Sequence, residues 1–242
     1  MNWKICEKEL IYRGICMVIT ILLYVVLLVC TLGLALLYAL LLWLGIILSE
    51  AMILAGLKQN SVKLAPSQLP KIYNIVQEYS KMLEIDCPEV YISQSNGVLN
   101  AFATKYLKRN FVILNSDILT SVDEEDEEAV RFIIAHELAH IKRNHINRLW
   151  IFFGLIIPFL GTAYSRACET TCDNIATQLV GANSVNGLVL LAVGGKTYKK
   201  IDVQSIIMQS ENSDGFFSWL SEILCTHPHL LKRIRNIESI NN

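Results

Sequence analysis

The sequence predicts an α+β fold, in which a small β-sheet packs with helices and follows an N-terminal transmembrane helical hairpin. Three observations support this prediction. The first quarter of the chain is almost continuously apolar, short runs of β-branched and aromatic residues follow it, and most later segments space their apolar residues at helical intervals. The 242 residues are 53% hydrophobic and 18% charged, which is too apolar for a soluble protein of average composition. Part of the chain should therefore lie in lipid.

The charge and the cysteine content exclude further classes of protein. The formal net charge is −1 at pH 7, so the chain offers no basic field that would hold a nucleic acid. The 7 cysteines are odd in number and include no C-x-x-C pair, which favours reduced cytosolic thiols over a disulfide framework. Cys168 and Cys172 stand one helical turn apart, and we interpret them as packing residues rather than as a metal or redox pair.

The predicted membrane region covers residues 1–60. No charged side chain occurs in residues 15–48, and a straight helix over this stretch would be about 50 Å long, whereas the hydrocarbon core of a bilayer is about 30 Å thick. We therefore expect two passages that turn near residues 30–33. The basic residues on both sides of the run are Lys4, Lys8, Arg13, Lys58, Lys63 and Lys71. The positive-inside rule then places both ends in the cytosol. One long, tilted helix that runs into a surface helix is the alternative.

Residues 65–242 form the predicted second domain. An amphipathic helix at residues 67–83 should precede three strands in "PEVYIS", "LNAFATKY" and "NFVILN". The acidic run at residues 123–128 follows a capping-box serine and marks the start of a helix that should continue through "HELAH" to about Asn147.

The remaining elements are predicted to be helical. Residues 149–160 are too short for a membrane span and contain Gly154 and Pro158, so we expect a buried helix or a segment that dips into the membrane interface. Further helices are predicted at residues 163–181, 185–210 and 226–240.

The motif His136-Glu137-x-x-His140 is the strongest indication of chemistry. Residues four apart lie on one helix face, so both imidazoles can bind one ion. Glu137 is rotated from them by about 100° and can reach a water bound to that ion. This pattern is typical of a zinc hydrolase, in which the metal polarises the scissile carbonyl and the carboxylate takes the proton of the water. The flanking apolar residues indicate a buried helix, where unpaired histidines would be costly.

A catalytic zinc site needs a third protein ligand. Glu169, on the predicted helix at residues 163–181, is the candidate, and Asp173 lies on the same face one turn later. Asp173 can accept the free ring N–H of a ligating histidine and hold its orientation. His145 follows the motif, and we predict that it lies at the surface.

The segments "HELAH", "SRACETTCDNIA", "THPHLLKRI" and "LNAFAT" resemble the M48 family of membrane-associated zinc metallopeptidases, which includes HtpX-type quality-control proteases. The resemblance implies a zincin-like domain over about residues 65–240. It implies one Zn²⁺ per chain, bound by His136, His140 and Glu169, with Glu137 as the general base. It also implies that Asn100 holds the substrate backbone beside an edge strand, that His227 stabilises the oxyanion and that Arg233 supports His227.

Two features depart from the family pattern. Only residues 149–160 fill the interval in which HtpX-type proteins have two further spans, and the family's E-x-x-A-D reads E-T-T-C-D here. The sequence predicts a membrane-bound zinc endopeptidase that acts on polypeptides from the cytosolic side of the bilayer, in membrane-protein quality control or processing. The alternatives are a catalytically idle binding protein and a zinc hydrolase of non-peptide substrates. Glu137 and the strand "LNAFATKY" argue against them, because an idle protein needs no base and peptidases of this kind pair their substrates with an exposed strand. Nothing in the sequence indicates the oligomeric state.

Overall fold

The structure is a computed structural model that describes residues 3–31, 34–94, 101–106, 109–119, 127–146, 151–181, 183–198, 200–211 and 215–241. Within these residues the chain is rich in helix and contains one small mixed sheet, as the predicted α+β class requires. Two long apolar helices come first, α1 (Glu7–Cys30) and α2 (Leu34–Gln59). The predicted turn between them falls partly on residues 32–33, which lie outside the described residues.

Both N-terminal helices are long and apolar enough to cross a membrane. The candidate spans are Glu7–Cys30 and Leu36–Gln59, each of 24 residues, and such a helix is about 36 Å long against a hydrocarbon core of about 30 Å. Most of their large apolar side chains are exposed in the isolated chain, among them Leu22, Val29 and Leu42. A lipid environment would cover this surface.

The sheet contains four described strands in the order β1-β2-β4-β3. They are β1 (Val62–Lys63), β2 (Glu89–Ser93), β3 (Ala101–Tyr106) and β4 (Arg109–Asn115). β2 runs parallel to β4, whereas β3 is antiparallel to β4 and forms an edge of the sheet. Three of these strands coincide with the predicted ones. β1 is not predicted, because two residues are too few to show an alternating pattern.

Helices surround the sheet and continue to the end of the chain. α3 (Pro70–Met82) lies between β1 and β2 in the sequence, and α4 (Ser116–Leu119) and α5 (Glu127–Lys142) follow β4. Then come α6 (Phe152–Ile156), α7 (Leu160–Val180), α8 (Ser184–Val193), α9 (Gly195–Tyr198), α10 (Val203–Glu211), α11 (Phe216–Leu224) and α12 (Leu230–Asn241). Residues 120–126 lie outside the described residues, and they include the predicted capping box and most of the acidic run at residues 123–128.

Helix α5 is the central helix of the domain, and it packs against α7 and α8. Of its 16 residues, 11 are buried, including Phe132 and Leu138 at 0% exposure. A Cβ atom on Gly187 of α8 would come within 2.5 Å of the ring of Phe132, so only glycine permits this close packing of α8 on α5. α5 ends at Lys142, earlier than the predicted Asn147, and residues 143–146 form turns.

The N-terminal helices are attached to the domain at two places. The first half of α1 packs on α6 and α7 through a cluster that contains Cys16, Tyr164 and Cys168, in agreement with a packing role for Cys168. The end of α2 packs on the sheet, where Leu54 contacts Tyr91 and Phe111 among other residues. These two attachments position the two apolar helices relative to the domain that contains α5, the helix with the histidine motif.

Candidate metal centre

Helices α5 and α7 bring three predicted metal ligands together. His136 and His140 stand one turn apart on α5, and Glu169 faces them from α7. The Nε2 atoms of the two histidines are 3.2 Å apart. Oε2 of Glu169 lies 3.3 Å from the Nε2 of His136, and Oε1 of Glu169 lies 3.4 Å from the Nε2 of His140. The two imidazole nitrogens and the carboxylate therefore converge, with each carboxylate oxygen facing one histidine.

This cluster of donor groups suits a zinc ion. Ligand atoms about 2.0–2.1 Å from a tetrahedral Zn²⁺ are about 3.3–3.4 Å from one another, which is close to the separation of the two Nε2 atoms and to that of each nitrogen from its nearest Glu169 oxygen. The donor set of two imidazoles and one carboxylate is a common one for catalytic zinc, and it leaves a fourth position open. Without a cation, the three lone pairs would face one another in a buried site, where His136 and Glu169 are 6% and 9% exposed.

An ion pair behind His136 fixes the ring of this histidine. Its Nδ1 donates a hydrogen bond to Asp173 Oδ1 at 2.9 Å, and Arg233 donates two hydrogen bonds to the same carboxylate at 2.8 and 2.7 Å. Burial alone would raise the pKa of Asp173, but Arg233 and His136 together outweigh burial and lower it. Asp173 thus stays ionised and leaves the Nε2 of His136 facing the centre.

Burial and neighbouring charges also have opposite effects on the pKa values of two predicted ligands, Glu169 and His136. Burial alone would raise the pKa of Glu169, but its contacts with His136 and His140 hold it well below its ordinary value. Burial alone would lower the pKa of His136, but Asp173 and Glu169 raise it. The site therefore attracts positive charge, either a proton or a metal ion.

A cavity of about 330 Å³ opens on the three donors. Its wall includes Ala101, Phe102 and Ala103 of the edge strand β3, together with Glu137 and His227. A larger cavity of about 530 Å³ lies on the other side of Asp173 and Arg233, but its lining includes none of the three donors. The smaller cavity is therefore the candidate active site.

The remaining predicted site residues have different outcomes. The Nε2 of His227 lies 3.5 Å from Glu169 Oε1, with 64% of its side chain exposed. Arg233 contacts Asp173 and thereby acts on His136 rather than on His227. Asn100 lies outside the described residues. The structure thus brings His136, Glu137, His140, Glu169, Asp173, His227 and Arg233 to one region of the molecule.

The prediction that His145 lies at the surface is wrong. His145 is 4% exposed, and its Nδ1 lies 3.1 Å from the Nδ1 of His140. The early end of α5 turns the chain back so that His145 lies behind the second histidine of the motif. Glu9 of α1, which is 0% exposed and 3.2 Å from His145, is a further residue that sequence reasoning missed. An acidic residue at the start of an apolar helix was the available signal, because burying it requires a partner.

The chain was also compared with known proteins. The model of peptidase family M48 matches residues 66–157 and 148–241. The chain belongs to peptidase family M48. The predicted resemblance is confirmed, and the M48 match includes both helices that carry the three donors.

The curated M48 relatives match this chain over part of their length. The plastoglobule-localized metallopeptidase 48 of Arabidopsis thaliana is 24% identical over 193 residues, which are 71% of this chain and 54% of the relative. A protease HtpX homolog of Syntrophobacter fumaroxidans is 37% identical over 83 residues, 34% of this chain and 28% of the relative. Protease HtpX of Haemophilus ducreyi is 28% identical over 134 residues, which are 53% of this chain and 45% of the relative. The chain thus spans about half the length, or less, of these relatives.

Proposed function

We propose that this M48 protein is a membrane-bound, zinc-dependent endopeptidase. One observation carries the proposal: two imidazole nitrogens and one carboxylate converge, each within 3.4 Å of the other two groups, in a cavity that is also lined by Glu137 and the edge strand β3. The family membership and the metallopeptidase and protease names of its relatives support the same activity.

His136, His140 and Glu169 would hold the zinc ion, which would polarise the scissile carbonyl and lower the pKa of a water molecule. Glu137, in the same cavity, takes the proton of that water and passes it to the leaving amine. Asp173 orients His136, and Arg233 orients Asp173. His227 donates a hydrogen bond to the oxygen on which negative charge develops.

The edge strand β3 is the proposed binding site for the substrate backbone. β4 pairs with one side of β3, and β3 is the last strand of the described sheet. An extended polypeptide could add to its other side, beside the cavity, through main-chain hydrogen bonds that do not depend on sequence. Phe102 is 42% exposed and lines the cavity, so it would contact a substrate side chain. Asn100 immediately precedes β3 and would hold the same backbone.

The membrane location follows from α1 and α2. They form the proposed transmembrane hairpin, and the basic residues at its two ends favour a catalytic domain in the cytosol. A bound peptidase at this position would meet cytosolic segments of membrane proteins, so we assign it to membrane-protein quality control or processing. Its partners would be polypeptide substrates and the lipid bilayer.

The substitution Glu137→Gln tests this function. It removes the general base and leaves all three donors, so the variant should retain zinc but lose about 10²- to 10⁴-fold in the cleavage rate of an unfolded protein. Glu84→Gln is a matched control, because Glu84 carries the same charge on an exposed side chain and pairs with Lys142 at 3.8 Å. Cleavage by Glu137→Gln at the wild-type rate would refute the peptidase assignment. Binding of the unfolded substrate without cleavage by the wild type would favour the idle binding protein.

A further inference from the structure

Each histidine of the motif has a carboxylate behind it. For His136 the carboxylate is that of Asp173, in direct contact at 2.9 Å. For His140 it is that of Glu9, and one residue stands between them. The Nδ1 of His140 lies 3.1 Å from the Nδ1 of His145, whose Nε2 lies 3.2 Å from Glu9 Oε1. A chain of polar contacts therefore runs from the candidate metal centre to the first turn of α1.

One arrangement of protons satisfies this chain when His140 binds a metal. The Nε2 of His140 then offers its lone pair to the ion, so its Nδ1 carries the proton and donates it to the Nδ1 of His145. His145 in turn carries its proton on Nε2, which faces Oε1 of Glu9 at 3.2 Å. The Nδ1 of His145 also lies 3.6 Å from the Sγ of Cys172, and in this arrangement it accepts from His140 and sets the orientation of the His140 ring.

The carboxylate at the end of the chain is held in place from several sides. Arg143 donates to Glu9 Oε1 from its Nε at 3.1 Å and from its Nη2 at 2.6 Å. The segment before Glu9 is fixed on α7, where the backbone N–H of Cys6 donates to Thr171 and the side chain of Asn174 donates to the carbonyl of Lys4. A buried charge without such partners would be strongly destabilising.

We propose that Glu9 and His145 are positioning residues that hold His140 in its metal-binding orientation and couple the first membrane helix to the metal centre. The proposal rests on the proposed function, because it takes His140 as a metal ligand. Displacement of the first turn of α1 would move Glu9 away from His145. His145 would then no longer hold the ring of His140, and His140 would bind the metal more weakly. The N-terminal helix is then part of the catalytic machinery as well as a membrane anchor.

A structural role for Glu9 is the competing explanation. Glu9 could simply anchor α1 through Arg143, with His145 as a buried neighbour. The two explanations differ in their effect on metal affinity, because Arg143 and His145 share Glu9 as a partner but only His145 contacts His140. Mutation of a residue that hydrogen-bonds to a metal ligand typically lowers metal affinity by about 10- to 100-fold.

The test measures zinc affinity of the full-length chain in detergent, by competition with a chelating dye. His145→Leu removes the acceptor for the Nδ1 of His140 and should weaken zinc binding by about 10- to 100-fold. His145→Asn places an oxygen near the former Nδ1 position, so it should recover most of this loss. Arg143→Met removes the other partner of Glu9, and it should lower the thermal stability of the zinc-free protein while zinc affinity stays close to that of the wild type.

Zinc affinity unchanged in His145→Leu would overturn the proposal, as would equal losses in His145→Leu and Arg143→Met. Two zinc ions bound per wild-type chain would also overturn it, because His140, His145 and Cys172 could then form a second metal group. If His145→Leu does not fold, Glu9→Leu in the Arg143→Met background replaces the ion pair with an apolar pair. That double variant should bind zinc several-fold more weakly than Arg143→Met. Equal affinity of the two would refute the proposed coupling of His140 to Glu9 through His145, which we call the relay.

The failure of the relay can be distinguished from the failure of the proposed function. If His136→Ala binds zinc as tightly as the wild type, the metal centre itself is wrong. If His136→Ala loses zinc and His145→Leu does not, the metal centre stands and only the relay is refuted.

Discussion

His227 lies in the candidate site but is not one of the three predicted metal ligands. Its Nε2 lies 3.5 Å from Glu169 Oε1 at the mouth of the cavity. Buried Pro228 follows it, and the carbonyl of the preceding Cys225 accepts a hydrogen bond from Arg166. The short segment that carries His227 is therefore held on α7, as a donor to a developing oxyanion requires.

We predict that His227→Ala lowers kcat by about 10²- to 10³-fold while zinc is retained. His229→Ala is the matched control, because His229 lies two residues away and approaches Ser221 at 3.4 Å rather than the metal donors. Steady-state kinetics and zinc content of the two variants give the answer. Small and equal effects would remove His227 from the mechanism, and a higher kcat in His227→Ala would show that the imidazole obstructs the open metal position.

At this scale the sequence predicts that the candidate ligands and Asp173 lie close together, but it does not predict the contact between Glu9 and His145. His136 and His140 are one turn apart, so local helix geometry alone directs them at one point. The place of Asp173, one turn after Glu169, follows in the same way. Glu9 and His145 meet across most of the chain length, and no local spacing relates an acid near the N-terminus to a histidine that follows α5.

The crossing of α1 and α6 is the clearest packing feature at the scale of elements. A Cβ atom on Gly154 would clash with the Cα of Cys16 and would lie 2.5 Å from its Cβ. The backbone N–H of Gly154 also donates to the hydroxyl of Thr20 at 3.1 Å. α6 thus lies against the backbone of α1, and this contact accounts for the buried part of the apolar segment at residues 149–160. Phe152 and Ile156 on its other side are exposed.

We predict that Gly154→Ala destabilises the protein by about 1–3 kcal/mol, because the added methyl group overpacks against the backbone of α1. Gly45→Ala is the control. Gly45 lies within α2 with no atom within 4 Å of an added Cβ, so its replacement should be neutral or slightly stabilising through helix propensity. Thermal unfolding in detergent compares the two variants, and a stable Gly154→Ala protein would contradict the observed crossing.

The elements that sequence reasoning missed or misplaced have different physical causes. α11 is predicted by no pattern, because its large apolar residues do not enter the core: Phe216, Phe217, Trp219 and Leu224 are all more than half exposed. β1 is too short for a pattern, and α5 ends before its apolar spacing ends. The long elements α3, α5, α7 and α12 were predicted because each has a buried face repeated over several turns.

For the whole molecule, the relation between the hairpin and the domain is the main prediction. Residues 1–60 and 65–242 remain a proposed division of the chain. The start of α1 shares a buried ion pair with Arg143, and the end of α2 contributes Leu54 to a cluster on the sheet. Both ends of the hairpin should therefore lie on the same side of the membrane as the domain.

We predict that an impermeant thiol reagent added to intact cells labels native Cys30 but does not label a cysteine introduced at either terminus. Cys30 is exposed at the end of α1, on the far side of the bilayer in this topology, and serves as the positive control. In a Cys30→Ser background, Asn2→Cys and Asn242→Cys should react only after the cells are permeabilised. Labelling of one terminus in intact cells would support a single long helix instead of the hairpin.

Zinc removal and restoration tests the central claim most directly. The detergent-purified wild-type chain should contain one zinc ion, lose cleavage of an unfolded protein when a chelator removes the ion, and recover cleavage in proportion to the zinc that is returned. Glu169→Ala, which lacks one of the three donors, should bind zinc far more weakly and stay inactive at zinc concentrations that restore the wild type. Cleavage that persists in the zinc-free protein, or unchanged zinc affinity in Glu169→Ala, would contradict the account.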